Sequence, residues 1–143
     1  MKIKANGTGG GDCIRREQPR RDRMDGRRMK GQAGEDAAEQ YLRSRGYRII
    51  ERNWRCRAGE LDLIAELKGV TVFVEVRTRS GGSLLGTPEE SVDVRKQHRV
   101  RRTASMFLHA SGGAERPVSF DVIAVRLEDG MRVASLHHIR DAF

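Results

Sequence analysis

The chain has 143 residues, 37% of them hydrophobic and 34% charged, which suffices for one ordinary domain and is too short for two. No stretch approaches the roughly 20 consecutive apolar residues of a membrane-spanning helix, so that class of protein is excluded. The two cysteines, Cys13 and Cys56, have neither the spacing of a zinc site nor the number that a disulfide framework needs. We therefore expect a cytoplasmic protein that does not enter membranes.

The formal net charge of +8 is concentrated at the amino terminus. Residues 1–30 contain ten Lys/Arg and four Asp/Glu, whereas residues 31–143 contain eighteen and sixteen. The first segment also has a run of three glycines and almost no large apolar side chains, so it cannot bury enough surface to offset the entropy of ordering. We predict a disordered basic tail over residues 1–30 and a folded domain over residues 31–143.

The first half of the domain predicts a helix followed by three strands. Apolar residues recur at helical spacing over residues 31–45, and Gly46 supplies the left-handed residue that often follows a helix end. Alternating apolar and polar residues, bounded by turn residues, predict the three strands: 47–54, 60–67 and 70–77. Only Lys68-Gly69 separates the last two, which predicts a hairpin.

The second half predicts another helix and two further strands. Thr87-Pro88-Glu89-Glu90 has the order of a helix start with a capping box, and Asp93 can cap the helix or continue it. The apolar stripe of this helix ends before Gly112. Strands follow at 118–127 and 131–138, joined by a turn. The complete order is αβββαββ, and we predict an α/β domain with a mixed central sheet flanked by helices.

Two acids interrupt the apolar strands, Asp62 in the second and Glu75 in the third. If the loop between these strands has two residues, Leu67 pairs with Val70. The same register places Asp62 directly opposite Glu75, with their Cβ atoms about 4.5–5.5 Å apart. Carboxylates at that distance repel each other and lose hydration. A divalent cation such as Mg²⁺ relieves both effects, because carboxylate oxygens are its preferred ligands.

The alternative interpretation is that both acids lie on a solvated face and pair with Arg77 or Arg79. Arg77 is two residues beyond Glu75 and shares its face of the strand, which favours a common site. A register slip of one residue would instead send the two acids to opposite faces of the sheet.

Other side chains are placed to join the two acids. Glu35 borders the buried stripe of the first helix; the alternative is an ordinary first-turn glutamate favoured by the helix dipole. Gln97 lies one turn before Val100 on the apolar stripe of the second helix, where its amide needs a partner. Five nearby basic residues form either a phosphate-facing surface or a solvated helix face: Arg95, Lys96, Arg99, Arg101 and Arg102.

Other chemistries have little support in the sequence. The four histidines show no metal-ligand spacing beyond an adjacent pair, so we assign them no role. No arrangement for nucleophilic catalysis and no glycine-rich nucleotide-binding motif stands out.

An acid on the first helix, an aspartate in one strand and Glu-x-basic in the next is the layout of the PD-(D/E)xK nuclease superfamily. Within it, the chain resembles the YraN family, an endonuclease-like family of small bacterial proteins, over about residues 31–143. Five segments carry this resemblance: GEDAA at 34–38, GELDLIA at 59–65, FVEVRTR at 73–79, RKQ at 95–97 and DAF at 141–143.

The resemblance implies a restriction-endonuclease-like fold similar to that of archaeal Holliday-junction resolvases. It implies Glu35 as the helix acid and Asp62 and Glu75 as ligands of Mg²⁺ or Mn²⁺. It also places Arg77 at the position of the motif lysine. An arginine supplies charge and hydrogen bonds but stays protonated, so it cannot act as a base.

We therefore expect a Mg²⁺-dependent endonuclease acting on DNA, including branched or damaged structures, with Gln97 and the basic helix positioning the strand. The alternative is a non-catalytic nucleic-acid-binding or adaptor module that retains the nuclease fold, which Arg77 and the low net charge of the domain favour. By analogy with resolvases we also expect a homodimer, because symmetric cutting of two strands suits a two-fold axis.

Overall fold

The computed structural model describes residues 25–80 and 92–143. Within these ranges it contains two α-helices and five strands in the order αβββαββ, which confirms the predicted α/β class and order of elements. The helices are α1 (Asp25–Ser44) and α2 (Val94–Ser111). The strands are β1 (Arg48–Cys56), β2 (Gly59–Leu67), β3 (Val70–Ser80), β4 (Val118–Glu128) and β5 (Arg132–Ile139). Neither of these helices is long and apolar enough to cross a membrane.

The five strands form one mixed sheet in the order β1-β2-β3-β4-β5. Neighbouring strands are antiparallel except β3 and β4, which run parallel because the connection through α2 returns the chain to the end of the sheet where β3 began. The helices cover opposite faces of this sheet. Leu42 of α1 shares one core with Val74, whereas Phe107 of α2 shares the other with Phe73 and Phe120. Consequently β3 contributes to both cores.

Helix α1 begins at Asp25, six residues before the predicted start, so residues 25–30 are helical although their composition assigns them to the tail. Arginine, methionine and lysine are good helix formers and extend the helix into solvent. Because residues 26–30 are exposed, they leave no apolar periodicity that a sequence pattern could detect. Gly46 follows the helix with a φ of 92°, as predicted. The rest of the predicted tail, residues 1–24, lies outside the described residues.

Helix α2 begins at Val94, with Asp93 as its cap. The Asp93 carboxylate accepts a hydrogen bond from the backbone N–H of Lys96 at 2.8 Å, which confirms the capping role rather than the continuing one. The predicted start at Thr87-Pro88-Glu89-Glu90 lies outside the described residues. The helix ends at Gly112, whose φ of 80° allows its N–H to donate to the carbonyl of Leu108.

Gly34 allows α1 to lie close against β3. A Cβ added at Gly34 would collide with Oγ1 of Thr78 and lie 3.0 Å from the Thr78 Cβ. Gly34→Ala is therefore expected to lower the free energy of unfolding by about 1–3 kcal/mol, although alanine is the better helix former.

Gly31→Ala is the matched control in the same helix, because nothing lies within 4 Å of a Cβ added there. This substitution is expected to raise the free energy of unfolding by up to about 1 kcal/mol. Urea denaturation measures both effects. Equal stabilisation by the two alanines would contradict the close approach at Gly34.

A buried polar cluster connects β4, β5 and α1. The Asp121 carboxylate is 2.8 Å from Nε2 of His138, and Nδ1 of the same ring is 3.1 Å from the hydroxyl of Tyr41. Ser119 and the backbone N–H of Asp141 also donate hydrogen bonds to Asp121. The sequence assigned no role to His138; here it holds together elements that are distant along the chain.

Candidate metal centre

The hairpin between β2 and β3 has the predicted register. Leu67 pairs with Val70 across Lys68-Gly69, and both turn residues have positive φ angles, 49° and 84°. Such angles suit the tight turns that match the twist of two paired strands. The pairing continues to Leu63 with Val74. The prediction is therefore confirmed up to the position just before the two acids.

Regular pairing of β2 with β3 stops at the two acids. Extended by one residue, the register would set Asp62 opposite Glu75, but that pair is not part of the ladder. Instead, Oδ2 of Asp62 accepts a hydrogen bond from the backbone N–H of Val76 at 2.9 Å. The Asp62 side chain thus takes the place of a strand–strand hydrogen bond and reaches across to β3.

The side chains of β2 switch to the opposite faces of the sheet at Asp62, and this irregularity explains where the Asp62 carboxyl lies. Leu63 belongs to the core under α1 and Leu61 to the core under α2, although residues two apart in a regular strand share a face. At the same level of β1, Asn53 has a φ of 55°, a left-handed conformation that asparagine tolerates better than most residues. Both strands are irregular here, and the Asp62 carboxyl lies where the β2–β3 ladder ends.

The surroundings of Asp62 disfavour its charged form. Burial raises the pKa of this carboxyl most strongly and the charge of Glu75 raises it further, whereas the hydrogen bond from Val76 opposes them only in part. The resulting pKa is about 8, with smaller contributions of the same sign from Glu35 and Glu60. Near neutral pH, Asp62 therefore keeps its proton unless a cation joins the site.

Glu75 has a cationic partner from α2. Nζ of Lys96 lies 2.7 Å from Oε2 of Glu75, whose side chain is only 12% exposed. This ion pair joins the first turn of α2 to β3. Among the five basic residues singled out on the second helix, Lys96 is the one that contacts either acid.

Glu35 lies in the middle of α1, because the helix begins at Asp25. The interpretation of Glu35 as a first-turn glutamate is therefore wrong. Its carboxylate accepts a hydrogen bond from Nδ2 of Asn53 at 3.2 Å and lies 3.6 Å from the guanidinium of Arg52. Burial raises the pKa of Glu35 and outweighs the opposite effects of Asn53 and Arg52. Glu35 borders the site, and its charge also acts on Asp62.

Arg77 faces an open cleft of about 520 Å³ between β3 and the start of α2. Glu75, Arg79 and Lys96 also line this cleft.

Gln97 binds the backbone before α2 and not the two acids. Its Nε2 donates a hydrogen bond to the carbonyl oxygen of Val92 at 2.8 Å, so its amide finds the expected partner in the backbone before α2. This contact supports the beginning of the helix and brings Gln97 into no hydrogen bond with the two acids.

The other basic residues of α2 do not form one surface. Arg95, Arg99 and Arg102 are exposed at helical spacing along one side of the helix. Arg101 projects from a different side of the helix, and its guanidinium lies 4.9 Å from the ring centre of Phe120. One exposed side of the helix therefore presents three of the five cations, and Arg101, which is also exposed, lies on another side.

The donor set fits a divalent cation with few protein ligands. Within residues 25–80 and 92–143, no three His, Cys, Asp or Glu side chains gather into a metal cluster. Mg²⁺ commonly takes only one or two carboxylates and keeps several waters or phosphate oxygens. Asp62 and Glu75 provide two carboxylates whose mutual repulsion shows in the raised pKa of Asp62. A cation bound between them would remove that repulsion.

The sequence reasoning placed Lys96 among the basic residues of the second helix without linking it to Glu75, and it missed Asn53. Lys96 precedes Val100 by one helical turn, and this spacing could have placed it beside the buried stripe. Asn53 carried a weaker signal, because an asparagine in a strand does not by itself indicate a left-handed backbone. Its link to Glu35 depends on how α1 packs, which the local sequence does not encode.

Comparison with known proteins confirms the predicted resemblance to the YraN family, which is also called UPF0102. The sequence model of the uncharacterised protein family UPF0102 matches residues 34–125. A UPF0102 protein of Moorella thermoacetica is 50% identical over 117 residues, which cover 82% of this chain and 97% of that protein. A UPF0102 protein of Symbiobacterium thermophilum is 52% identical over 98 residues, or 68% of this chain and 82% of that protein. A UPF0102 protein of Nocardia farcinica is 41% identical, and the match covers 85% of this chain and 94% of that protein.

Proposed function

This chain belongs to the uncharacterised protein family UPF0102, and we propose that it is a Mg²⁺- or Mn²⁺-dependent endonuclease acting on DNA. The observation that carries this proposal is the partly buried Asp62 carboxyl beside Glu75, an arrangement that a cation stabilises. The cleft next to the acids is lined by Arg77, Arg79 and Lys96, which suit a phosphodiester. We further propose that the protein acts in the cytoplasm, as a homodimer if it cuts both strands of a symmetric junction.

Each side chain of the site has a distinct task in this reaction. Asp62 and Glu75 would hold the cation, which supplies a water of lowered pKa and neutralises charge on the phosphate. Arg77 would donate hydrogen bonds to the phosphoryl oxygens as negative charge develops there. Glu35, whose pKa is raised by burial, would hold water at the α1 side of the site. Lys96 would hold the Glu75 side chain in place before a cation binds.

A non-catalytic nucleic-acid-binding module is the second candidate, and the Lys96–Glu75 ion pair favours it. With Nζ at 2.7 Å, this lysine already provides Glu75 with a positive charge. A chain that had lost turnover could keep its fold with Lys96 in place of a metal. The two candidate functions differ in their response to divalent ions: a nuclease cleaves DNA when they are added, whereas a non-catalytic module does not.

Cleavage assays distinguish these two functions. Purified protein is incubated with duplex, single-stranded and four-way branched DNA in Mg²⁺, Mn²⁺ or EDTA. The nuclease proposal expects products only with a divalent ion and none from Glu75→Gln. Binding to the same DNA without cleavage under every condition would replace the nuclease by the non-catalytic module.

Arg77→Ala is expected to reduce cleavage about 10²–10³-fold, as the loss of one charge-stabilising donor does in other enzymes. DNA affinity should change far less, because the other cations of the cleft remain. Arg77→Lys is the matched variant and should retain more activity, although it loses any bidentate contact. Single-turnover rates measure these effects. Full activity of Arg77→Ala would remove Arg77 from the site and make Lys96 the principal candidate.

Deleting residues 1–24 is expected to weaken the salt dependence of DNA binding. The segment contains seven Lys/Arg and three Asp/Glu, and each lost phosphate contact lowers the slope of log affinity against log salt by about 0.9 for duplex DNA. Fluorescence anisotropy at several salt concentrations measures this slope. Thermal unfolding should stay nearly unchanged, whereas a large loss of stability would show that the segment packs on the domain.

A further inference from the structure

Three arginines extend the row of side chains that starts at Glu75. Residues 75, 77 and 79 alternate along β3 and share the face of Phe73, which packs under α2. On β4, Arg126 is the register partner of Arg79 and lies on the same face, because it is an even number of residues from Phe120. Neighbouring strands are about 4.8 Å apart. Arg79 and Arg126 therefore stand side by side next to the candidate metal centre.

These arginines lack the acidic partners that the protein provides elsewhere. Several arginines elsewhere in the described part of the chain form ion pairs with Asp or Glu, among them Arg43, Arg48, Arg52, Arg55, Arg116 and Arg132. Arg77, Arg79 and Arg126 are half-buried, and no acid of the described part of the chain forms an ion pair with any of them. Adjacent half-buried cations repel each other. An anion bound between them would convert this repulsion into attraction.

We propose that Arg79 and Arg126 form a second phosphate-binding subsite, which rests on the proposed function and extends it. Four residues of extended strand separate Glu75 from Arg79 by about 13 Å. The arginine pair is thus placed to hold a phosphate further along the same strand than the one at Asp62 and Glu75. The substrate class that follows is a nucleic-acid strand with several phosphates, in preference to a mononucleotide. Guanidinium groups suit this role because they bind phosphate oxygens through paired donors.

Binding measured in EDTA tests the subsite separately from cleavage. The probe is a fluorescein-labelled 12-nucleotide single-stranded DNA, followed by anisotropy. Arg79→Gln and Arg126→Gln are each expected to weaken binding roughly tenfold, the usual worth of a hydrogen bond to a charged group. Each should also lower the salt slope by about 0.7. Arg48→Gln, the same change of charge in the edge strand β1, is the control and should stay within twofold.

A double variant tests whether the two arginines hold the same phosphate. If they do, adding Arg126→Gln to Arg79→Gln should cost clearly less than Arg126→Gln alone. Arg79→Lys and Arg126→Lys, which keep the charge, should lie between wild type and the glutamine variants, and thermal melts confirm that each variant is folded. Fully additive losses, or losses no larger than that of Arg48→Gln, would overturn the subsite.

The outcome is separable from that of the nuclease proposal. If wild type binds as expected but cleaves no DNA with Mg²⁺ or Mn²⁺, the proposed function fails and the subsite stands. If wild type cleaves and the arginine variants bind normally, the subsite fails and the nuclease stands. A 5′-thymidine monophosphate competitor adds a further check, because it should displace the 12-nucleotide probe only weakly.

Discussion

Asp62→Asn is expected to abolish Mg²⁺ and Mn²⁺ binding and to make the metal-free protein more stable. The substitution removes a carboxylate that the cation needs. It also stabilises the metal-free fold, because the Asp62 carboxyl must take up a proton on folding at neutral pH and an asparagine need not. Because the asparagine oxygen can still accept the hydrogen bond from Val76, the local backbone should stay intact. Isothermal titration calorimetry measures the loss of binding. Cleavage, where wild type shows it, should fall below detection.

The pH dependence of the free energy of unfolding gives a second test of the raised pKa of Asp62. The folded-state pKa of Asp62 is raised from 3.8 to about 8, so the folded state binds more protons than the unfolded state between these values. The free energy of unfolding should therefore fall as pH rises from 4 to 8, by at most about 1.4 kcal/mol per pH unit from this group. Asp62→Asn should remove this part of the slope.

Metal binding should show the complementary dependence on pH. A cation needs the deprotonated carboxylate, so its apparent affinity should increase with pH and level off near pH 8, with release of a proton on binding. Glu66→Gln is the matched control in β2, because its carboxylate pairs with Arg48 instead. Unchanged Mn²⁺ binding by Asp62→Asn, or equal loss in Glu66→Gln, would contradict the shared site.

The features predicted correctly depend on local sequence. The hairpin register of β2 and β3 follows from a two-residue loop between apolar strands, and the predicted pairing of Leu67 with Val70 is confirmed. The valines of β3 alternate because all of them face the core under α1. Asp93 acts as a cap because its short carboxylate reaches the backbone of the first turn. Each of these features needs only neighbouring residues.

The remaining features depend on contacts between distant parts of the chain. Asp62 does not pair with Glu75 in the strand ladder, because the side chains of β1 and β2 switch to the opposite faces of the sheet at the level of Asn53. No local sequence pattern specifies this switch. Lys96 reaches Glu75 only because the first turn of α2 lies beside the middle of β3 in the folded chain. His138 looks like one of an ordinary pair of strand histidines until Asp121 and Tyr41 surround it. Three-dimensional packing decides the role of each of these residues.

The second large effect, a loss of stability, is expected from substitutions in the cluster around His138. The side chains of Asp121 and His138 are 2% and 7% exposed. A neutral His138 can donate from Nε2 to Asp121 and accept at Nδ1 from the Tyr41 hydroxyl, which satisfies both ring nitrogens. Burial favours the protonated form of Asp121, but hydrogen bonds from His138, Asp141 and Ser119 together lower its pKa. The carboxylate is thus buried as an anion and depends on its donors.

His138→Ala is expected to lower the free energy of unfolding by about 3–5 kcal/mol, because it leaves the Asp121 carboxylate buried without its main partner. His98→Ala, an exposed histidine of α2, is the control and should change stability by less than about 0.5 kcal/mol. Urea denaturation at pH 7 measures both. The stabilisation from Asp121 should be complete above its unfolded-state pKa near 4 and be lost as the pH falls further.

A double variant separates the buried charge from the loss of packing. Asp121→Asn removes the charge but keeps an oxygen that can accept from Ser119 and from the N–H of Asp141. If the unpaired charge causes most of the instability, Asp121→Asn combined with His138→Ala should be more stable than His138→Ala alone. A double variant that is less stable by the sum of both single losses would instead show that the cluster acts through packing. Tyr41→Phe should cost about 1 kcal/mol in either case, because it removes one hydrogen bond and keeps the ring contact with His138.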